Sequence, residues 1–297
     1  MYSYSITQWL FFFYFYCFFG WCFESTYVSI RNRKFVNRGF MRGPFLPLYG
    51  SGGIMMLVVS MPFQHNLFLT YLAGCVGATL LEYVTGVAME ALFKVRYWDY
   101  SNQRFNFQGH ICLSSSLAWG LLTIFMTEWL HRSVERMVLA IPSGWLTGIT
   151  LFLTAIIGAD FALSFKAAID LRDVLIKMEK AKEEMAHIQK RIDVIIALTN
   201  ADMAVRREEL SGNFEDRLDR IRELISQRHE KSFEDIRKEL AELREKYVKN
   251  REDRERLGVI RDFFQRDLIR SHPSMSSVRF KEALEELKVR VNERKKK

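Results

Sequence analysis

The chain has 297 residues, 43 Lys and Arg against 35 Asp and Glu, and a formal net charge of +8. Its mean hydropathy of -0.07 averages two unlike parts: residues 1–165 hold only 10 of the basic and 7 of the acidic side chains, leaving 33 and 28 for 166–297. The basic excess invites a nucleic-acid partner, but Lys and Arg alternate with acids in the charged part and stacking aromatics are sparse, which argues against one, and the four cysteines show no CxxC or Cys/His spacing for disulfides or zinc.

The first element is an apolar run, ITQWLFFFYFYCFFGWCFESTYV, from Ile6 to Val28 with Glu24 as its one acid. It is long enough to cross a bilayer core, which takes about 20 residues at ~1.5 Å each. Met1 to Gln8 contains no Lys or Arg, so the run reads as a retained transmembrane helix rather than a signal peptide. RNRKFVNRGFMRGPFLPLYG follows at 31–50. Its basic residues are a stop-transfer anchor, a role that does not explain Asn37, Gly39, Gly43, Pro44 or Tyr49. Further apolar runs near 46–63, 67–93, 109–130 and 138–162 bring the expected spans to five. The second is interrupted by Pro44, Pro47 and Gly50 to Gly53, and a partly unwound or re-entrant segment stays open for it. Arg31, Arg33, Lys34, Arg38 and Arg42 in the first loop, with Lys94, Arg96 and Arg104 in the third, put those loops inside. A multi-pass protein of the cell membrane results, with its N-terminus outside and its tail cytoplasmic.

The third span carries Gly74, Ala78, Glu82, Gly86 and Glu90 at steps of four, on one helix face. Ionisable residues within spans are costly and are paired, protonated or turned to water. Small residues beside them let another helix approach, and Cys112, Ser116 and Gly120 continue such a stripe down the fourth span. The loop VRYWDYSNQRFNFQGHIC, 95–112, is polar far beyond what a connection needs. Trp98 and Tyr100 also suit interfacial anchoring. Glu24, Asn37, Arg38, Arg42, Tyr49, Glu82, Glu90, Asp99, Asn106 and His110 thus form one candidate cluster at the cytoplasmic surface, with no metal and no cofactor expected. Within it, Arg42 is expected to pair with Glu24 or Glu90, while Arg31, Arg33 and Lys34 face water or lipid.

Glu24, NRGFMRGPFLPLYG at 37–50, LEYVTG at 81–86 and WDYSNQRFNFQGHICLSSSLAWG at 98–120 resemble the bacterial ABC-transporter type IV (CmpB-like) permease family over about residues 6–160. Small vertebrate multispan proteins are similar too. The resemblance implies no established substrate or catalytic residue. No GxxxxGK[ST] occurs, so any ATP hydrolysis would come from a separate subunit.

In the tail, 166–297, Leu171, Val174, Met178, Ala181, Met185, Ile188, Ile192 and Ile195 form a heptad seam, through which a second copy or a returning segment of the same chain would pack. Shorter seams follow at Leu218, Ile221 and Ile225, at Ile236, Leu240, Leu243 and Tyr247, and at Phe280, Leu284, Leu287 and Val291. Breaks are expected at Ser211-Gly212 and near SHPSMSS, 271–277. The fold class is therefore all-α, a polytopic membrane bundle over 1–165 followed by a helical coiled-coil tail. The leading functional reading is a transport-associated protein whose polar cavity takes a solute, ion or lipid. An enzyme acting on a lipid head group and a membrane-anchored coiled-coil scaffold are the alternatives. The terminal Lys-rich run and the spans make membrane lipids the further partner.

Overall fold

Ser5 opens the first helix with a reciprocal cap: its hydroxyl accepts from the Gln8 amide, and the Gln8 side chain accepts from the Ser5 amide. The computed structural model describes residues 4–199, 231–260 and 262–293. Helix α1 (Ile6–Asn32) ends at Arg33 in the left-handed conformation, φ 50°. Helix α2 (Pro47–Ser60) starts on a proline, whose missing N–H costs nothing in a first turn, and tightens into a 3-10 turn at Met61–Phe63. The Asn66 side chain caps α3 (Leu67–Phe93), which ends at Lys94, again left-handed with φ 61°. Two short antiparallel strands, β1 (Asn106–Phe107) and β2 (Ile111–Cys112), close the next loop. Helix α4 (Leu113–Phe125) passes through a π-helical turn, Met126–Leu130, into α5 (His131–Leu139). Helix α6 (Ser143–Thr199) runs 57 residues. Among the described residues the remaining helices are α7 (Lys231–Leu257), α8 (Phe263–Ser271) and α9 (Lys281–Glu293).

The chain divides into two compact units, 1–173 with 260–297, and 174–259. Composition groups everything after 165 as one tail, whereas packing gathers its last part with the helix bundle. The reason is the fourth apolar seam: Phe280, Leu284, Leu287 and Val291 are all buried, joined by Leu268, Ile269 and Met275. The expected break at 271–277 is the turn between α8 and α9.

In the first unit α1 packs on α2, α2 on α3 and α3 on α4. Phe12, Tyr16, Met56, Leu57, Ala78, Met126, Val134 and Val138 make the central apolar cluster. The helices approach closely because glycines line their contacts. A Cβ on Gly50 would lie 2.3 Å from Cys17 Sγ, and one on Gly74 would lie 2.5 Å from Thr123 Cβ. Gly74, Ala78, Glu82 and Gly86 are buried on the inner face of α3. Outward faces are apolar: Val76 and Leu80 on α3 and Trp145 and Phe152 on α6 are at least 60 % exposed. Ile6–Asn32, Leu67–Phe93 and Ser143–Ile195 are long and apolar enough to cross a membrane, and Pro47–Phe63 is a shorter apolar helix. Of the five expected spans, the first, third and fifth are thus long helices, and the fourth contains the π-helical turn.

In the second unit Met178, Ala181, Ile188, Ile192 and Ile195 are buried along α6, on the face that the seam marks. Arg191 pairs with Glu239 of α7 at 2.8 Å. Leu240 is buried and Leu243 and Tyr247 are half-buried. Leu218, Ile221, Ile225, the Ser211-Gly212 break and the side chain of Ile236 lie outside the described residues.

Gly74→Ala is expected to lower stability by about 1–3 kcal/mol, since Thr123 is fully buried and has no room to yield. Gly144→Ala, where nothing lies within 4 Å, should leave it unchanged. Thermal unfolding of both variants in one detergent compares them directly, and equal midpoints would mean that the α3–α4 contact tolerates a methyl group.

Candidate functional site

After α1 ends, the chain turns back along it. The Val36 amide donates to Ser29 Oγ at 2.9 Å, the Arg38 amide to Ser25 Oγ at 3.1 Å, and the Leu46 amide to the Cys17 carbonyl at 3.0 Å. This register carries Arg38, not Arg42, to Glu24: Arg38 Nε donates to Glu24 Oε1 at 3.3 Å. The Tyr49 hydroxyl donates to Glu24 Oε2 at 2.7 Å. Asn37 locks the return, accepting from Trp21 Nε1 at 2.6 Å and donating to the Arg42 carbonyl at 2.6 Å.

The expected pairing of Arg42 with Glu24 or Glu90 does not form. Its guanidinium lies 4.3 Å from the centre of the Phe263 ring, in α8, where a cation over an aromatic face is attracted to the ring quadrupole. The neighbouring Gly43 amide donates to Asp160 Oδ2 of α6 at 2.8 Å. Asp267 of α8 lies near both groups; burial and then Asp160 raise its carboxyl, against the lowering effects of Arg42 and Arg270. The gap left among Gly39, Arg42, Ser164, Phe264, Asp267 and Ser271 is only about 10 Å³, room for at most a single water.

The loop after α3 serves the other two acids. Glu90 Oε2 accepts from Arg96 Nε at 2.8 Å and lies 3.1 Å from His110 Nε2. Glu82, 4 % exposed, accepts from the Tyr100 hydroxyl at 3.0 Å, Trp119 Nε1 at 2.9 Å and Ser115 Oγ at 3.4 Å. Trp98 Nε1 donates to the His110 carbonyl at 2.9 Å. Trp98 and Tyr100 therefore point their polar atoms into the protein, although both suit interfacial anchoring. Asn106 folds the loop itself, donating to the Ser101 and Gln103 carbonyls and accepting from the Gly109 amide. Gly109 has φ +74°, and a Cβ there would meet Ser101 Oγ at 2.6 Å, so a side chain is excluded twice over.

Tyr49 and Trp119 rings meet edge to face at 6.3 Å, which joins the Glu24 group to the Glu82 group. Glu24, Asn37, Arg38, Tyr49, Glu82, Glu90, Asp99, Asn106 and His110 are brought to one end of the bundle, and Arg42 turns to α8. Among the described residues, no group of three or more His, Cys, Asp and Glu side chains could hold a metal ion.

The C-terminal segment completes this surface, which composition does not reveal. Arg96 and Ser276 exchange backbone hydrogen bonds of 2.7 and 3.0 Å. Ser276 Oγ donates to Asp99 Oδ2 at 2.7 Å, Ser277 Oγ to the Lys94 carbonyl at 2.8 Å, and Arg38 Nη1 to the Ser271 carbonyl at 3.2 Å. Partial burial disfavours the charge on Asp99, but the bonds from Ser101 and Ser276, with Arg96, outweigh it and hold the carboxyl below its usual range. His272 is buried against Tyr97, ring centres 4.8 Å apart, with Nδ1 paired to the Leu268 carbonyl at 3.0 Å. Burial, reinforced by the Arg38 charge, pushes its imidazole down to about 3.

Arg38→Gln leaves Glu24 without its cation and should cost about 2 kcal/mol of stability, with Arg33→Gln neutral because Arg33 is exposed. Equal unfolding midpoints for the two variants would contradict this assignment. An undocked His272 protonates near pH 6.5 and the docked one only near 3, so docking weakens as pH falls below 6.5, by about 2 kcal/mol at pH 5. Hydrogen exchange at 268–277, corrected for intrinsic rate, should accelerate from pH 7 to pH 5, and much less so in His272→Gln. A pH-independent rate would show that His272 does not control docking.

No curated protein and no solved structure matches the chain. The family model described as "Putative ABC-transporter type IV" matches residues 11–165, over half of the chain. That range contains Glu24, Glu82, Glu90, Asp99 and Asp160 and the loops after α1 and α3, and ends before Asp267 and the docked C-terminal segment. By this match the chain belongs to the family described as "Putative ABC-transporter type IV".

Proposed function

We propose that the chain is a multi-pass membrane protein of a transport system, its N-terminus outside and its basic loops and tail cytoplasmic, in which Glu82 handles the transported solute or ion. Glu82 carries this reading. Its carboxylate is buried within an apolar helix and meets three neutral donors, with no cationic side chain paired to it among the described residues. A carboxylate so placed lacks a counter-charge, which a proton, a metal cation or a cationic solute supplies. Glu24 and Glu90 differ, because Arg38 and Arg96 already neutralise them. They brace the helices, and Glu82 is the member of the cluster left for exchange.

The apolar outward faces of α1, α3 and α6 support the membrane placement, since water would make that exposure costly. The clustering of Lys and Arg in the loops after α1 and α3 supports the orientation. Energy from ATP would enter through a separate subunit. The buried seam of α6 favours a coiled-coil tail formed with α7 of the same chain, an anchor for partners on the same face of the membrane.

Uptake profiling of cells lacking the chain tests the reading. At least one solute or ion should enter poorly, with wild type and Arg33→Gln restoring it and Glu82→Gln restoring it by roughly a tenth or less, an effect of at least ~1.4 kcal/mol. Full restoration by Glu82→Gln at normal membrane levels would remove Glu82 from the path. An unaltered profile for every solute would remove the transport reading itself.

A further inference from the structure

Beside the Glu90 group, α3 and the docked C-terminal segment enclose an open groove of about 340 Å³, lined among others by Val87, Glu90, Lys94, His110, Val278 and Arg279. Two cations from two distant stretches of chain meet at it. Lys94 is the left-handed residue that ends α3, and Arg279 precedes α9. Both side chains are exposed, and among the described residues neither has an acidic partner. Their neighbours differ: Arg38, Arg96, Lys288 and Arg290 each hold a carboxylate. The one acid in the groove, Glu90, is already engaged by Arg96 and His110, so the positive charge of Lys94 and Arg279 is not neutralised locally.

The other half of the groove is apolar and leads away along the helix. Val76, Leu80, Val84 and Val87 follow at steps of four and three on one face of α3, and all are exposed. From Val76 to Lys94 the helix rises about 27 Å, near the ~30 Å thickness of a bilayer core. Lys94 therefore stands where that core meets head groups, if α3 spans the membrane as proposed above. Val278, an apolar side chain 72 % exposed next to Arg279, extends the apolar wall onto the C-terminal segment.

We propose that this groove is a binding site for the phosphate of an anionic membrane lipid, held by Lys94 and Arg279 with its acyl chains along the Val76–Val87 face. The head group joins α3 to the C-terminal segment, adding to the Ser277–Lys94 and Ser276–Arg96 hydrogen bonds. A phosphate is the matching anion because it offers several strong acceptor oxygens to an ammonium and a planar guanidinium that approach from different elements. A zwitterionic lipid would bring its own cation and gain less.

Native mass spectrometry of the purified full chain tests the site with phosphatidylglycerol and phosphatidylcholine as probes. Wild type should retain phosphatidylglycerol adducts at a lower free concentration than phosphatidylcholine. Lys94→Gln with Arg279→Gln should weaken phosphatidylglycerol retention roughly tenfold, while Arg33→Gln with Lys34→Gln should not. In nanodiscs, the Ser276 amide should exchange more slowly with phosphatidylglycerol than with phosphatidylcholine, a difference lost in Arg279→Gln. Undiminished adducts in the first double variant, or equal weakening in the second, would overturn the site. Protection of Ser276 by inorganic phosphate as strong as by phosphatidylglycerol would overturn its assignment to lipid. Neither readout measures uptake, so failure here leaves the role of Glu82 standing, and failure of Glu82 in uptake leaves this site standing.

Discussion

A carboxylate buried in an apolar helix must find donors, and most of what is unusual in this chain answers that demand. Glu82 is buried on the inner face of α3, and Glu24 and Glu90, with side chains 25 % and 26 % exposed, are half-buried beside it; leaving a buried carboxylate unpaired would cost more than a typical hydrogen bond contributes. In each case the loop following the same helix returns to supply the donors: Arg38 for Glu24, Tyr100 for Glu82, Arg96 and His110 for Glu90. The next helix adds another, Tyr49 from α2 and Trp119 from α4. The loops are long and polar because they are folded pieces of the helix interior.

The two halves of the bundle solve the problem in the same way. α1 and α3 each run 27 residues and end on a basic residue in the left-handed conformation. Each is followed by a folded loop and a shorter helix, α2 or α4, whose last turn departs from α-geometry, into a 3-10 turn after α2 and a π-helical turn after α4. The glycines at the α1–α2 and α3–α4 contacts let the backbones approach closely enough for Tyr49 and Trp119 to reach the acids of the preceding helix. Tyr49 and Trp119 then touch, so the Glu24 and Glu82 groups form a continuous polar layer in an otherwise apolar bundle.

Arg38 ties that layer to the C-terminal segment. It holds Glu24 through its side chain, Ser25 through its backbone and Ser271 through Nη1. The same guanidinium disfavours a charge on His272, which stays buried and neutral beneath it. Docking of the segment and integrity of the Glu24 pair therefore share one residue. A change that removes the segment also exposes Arg38 to solvent, which weakens its ion pair.

Periodicity in the sequence determined the helices and their faces. Runs of apolar residues mark the long helices, the steps of four place Glu82 and its glycine neighbours inside α3, and the last seam marks the buried face of α9, because side-chain direction along a helix follows from its geometry alone. Two results depended on tertiary structure. The register of the loop along α1, set by Ser29 and Ser25, decided that Arg38 and not Arg42 meets Glu24, and counting residues from Pro44 does not contain that register. The destination of the C-terminal segment was equally hidden, since an amphipathic helix advertises an apolar face but not the surface that will cover it. Ser276, Ser277 and His272 acquire their roles only by landing on Arg96, Asp99, Lys94 and Tyr97, about 180 residues earlier in the chain.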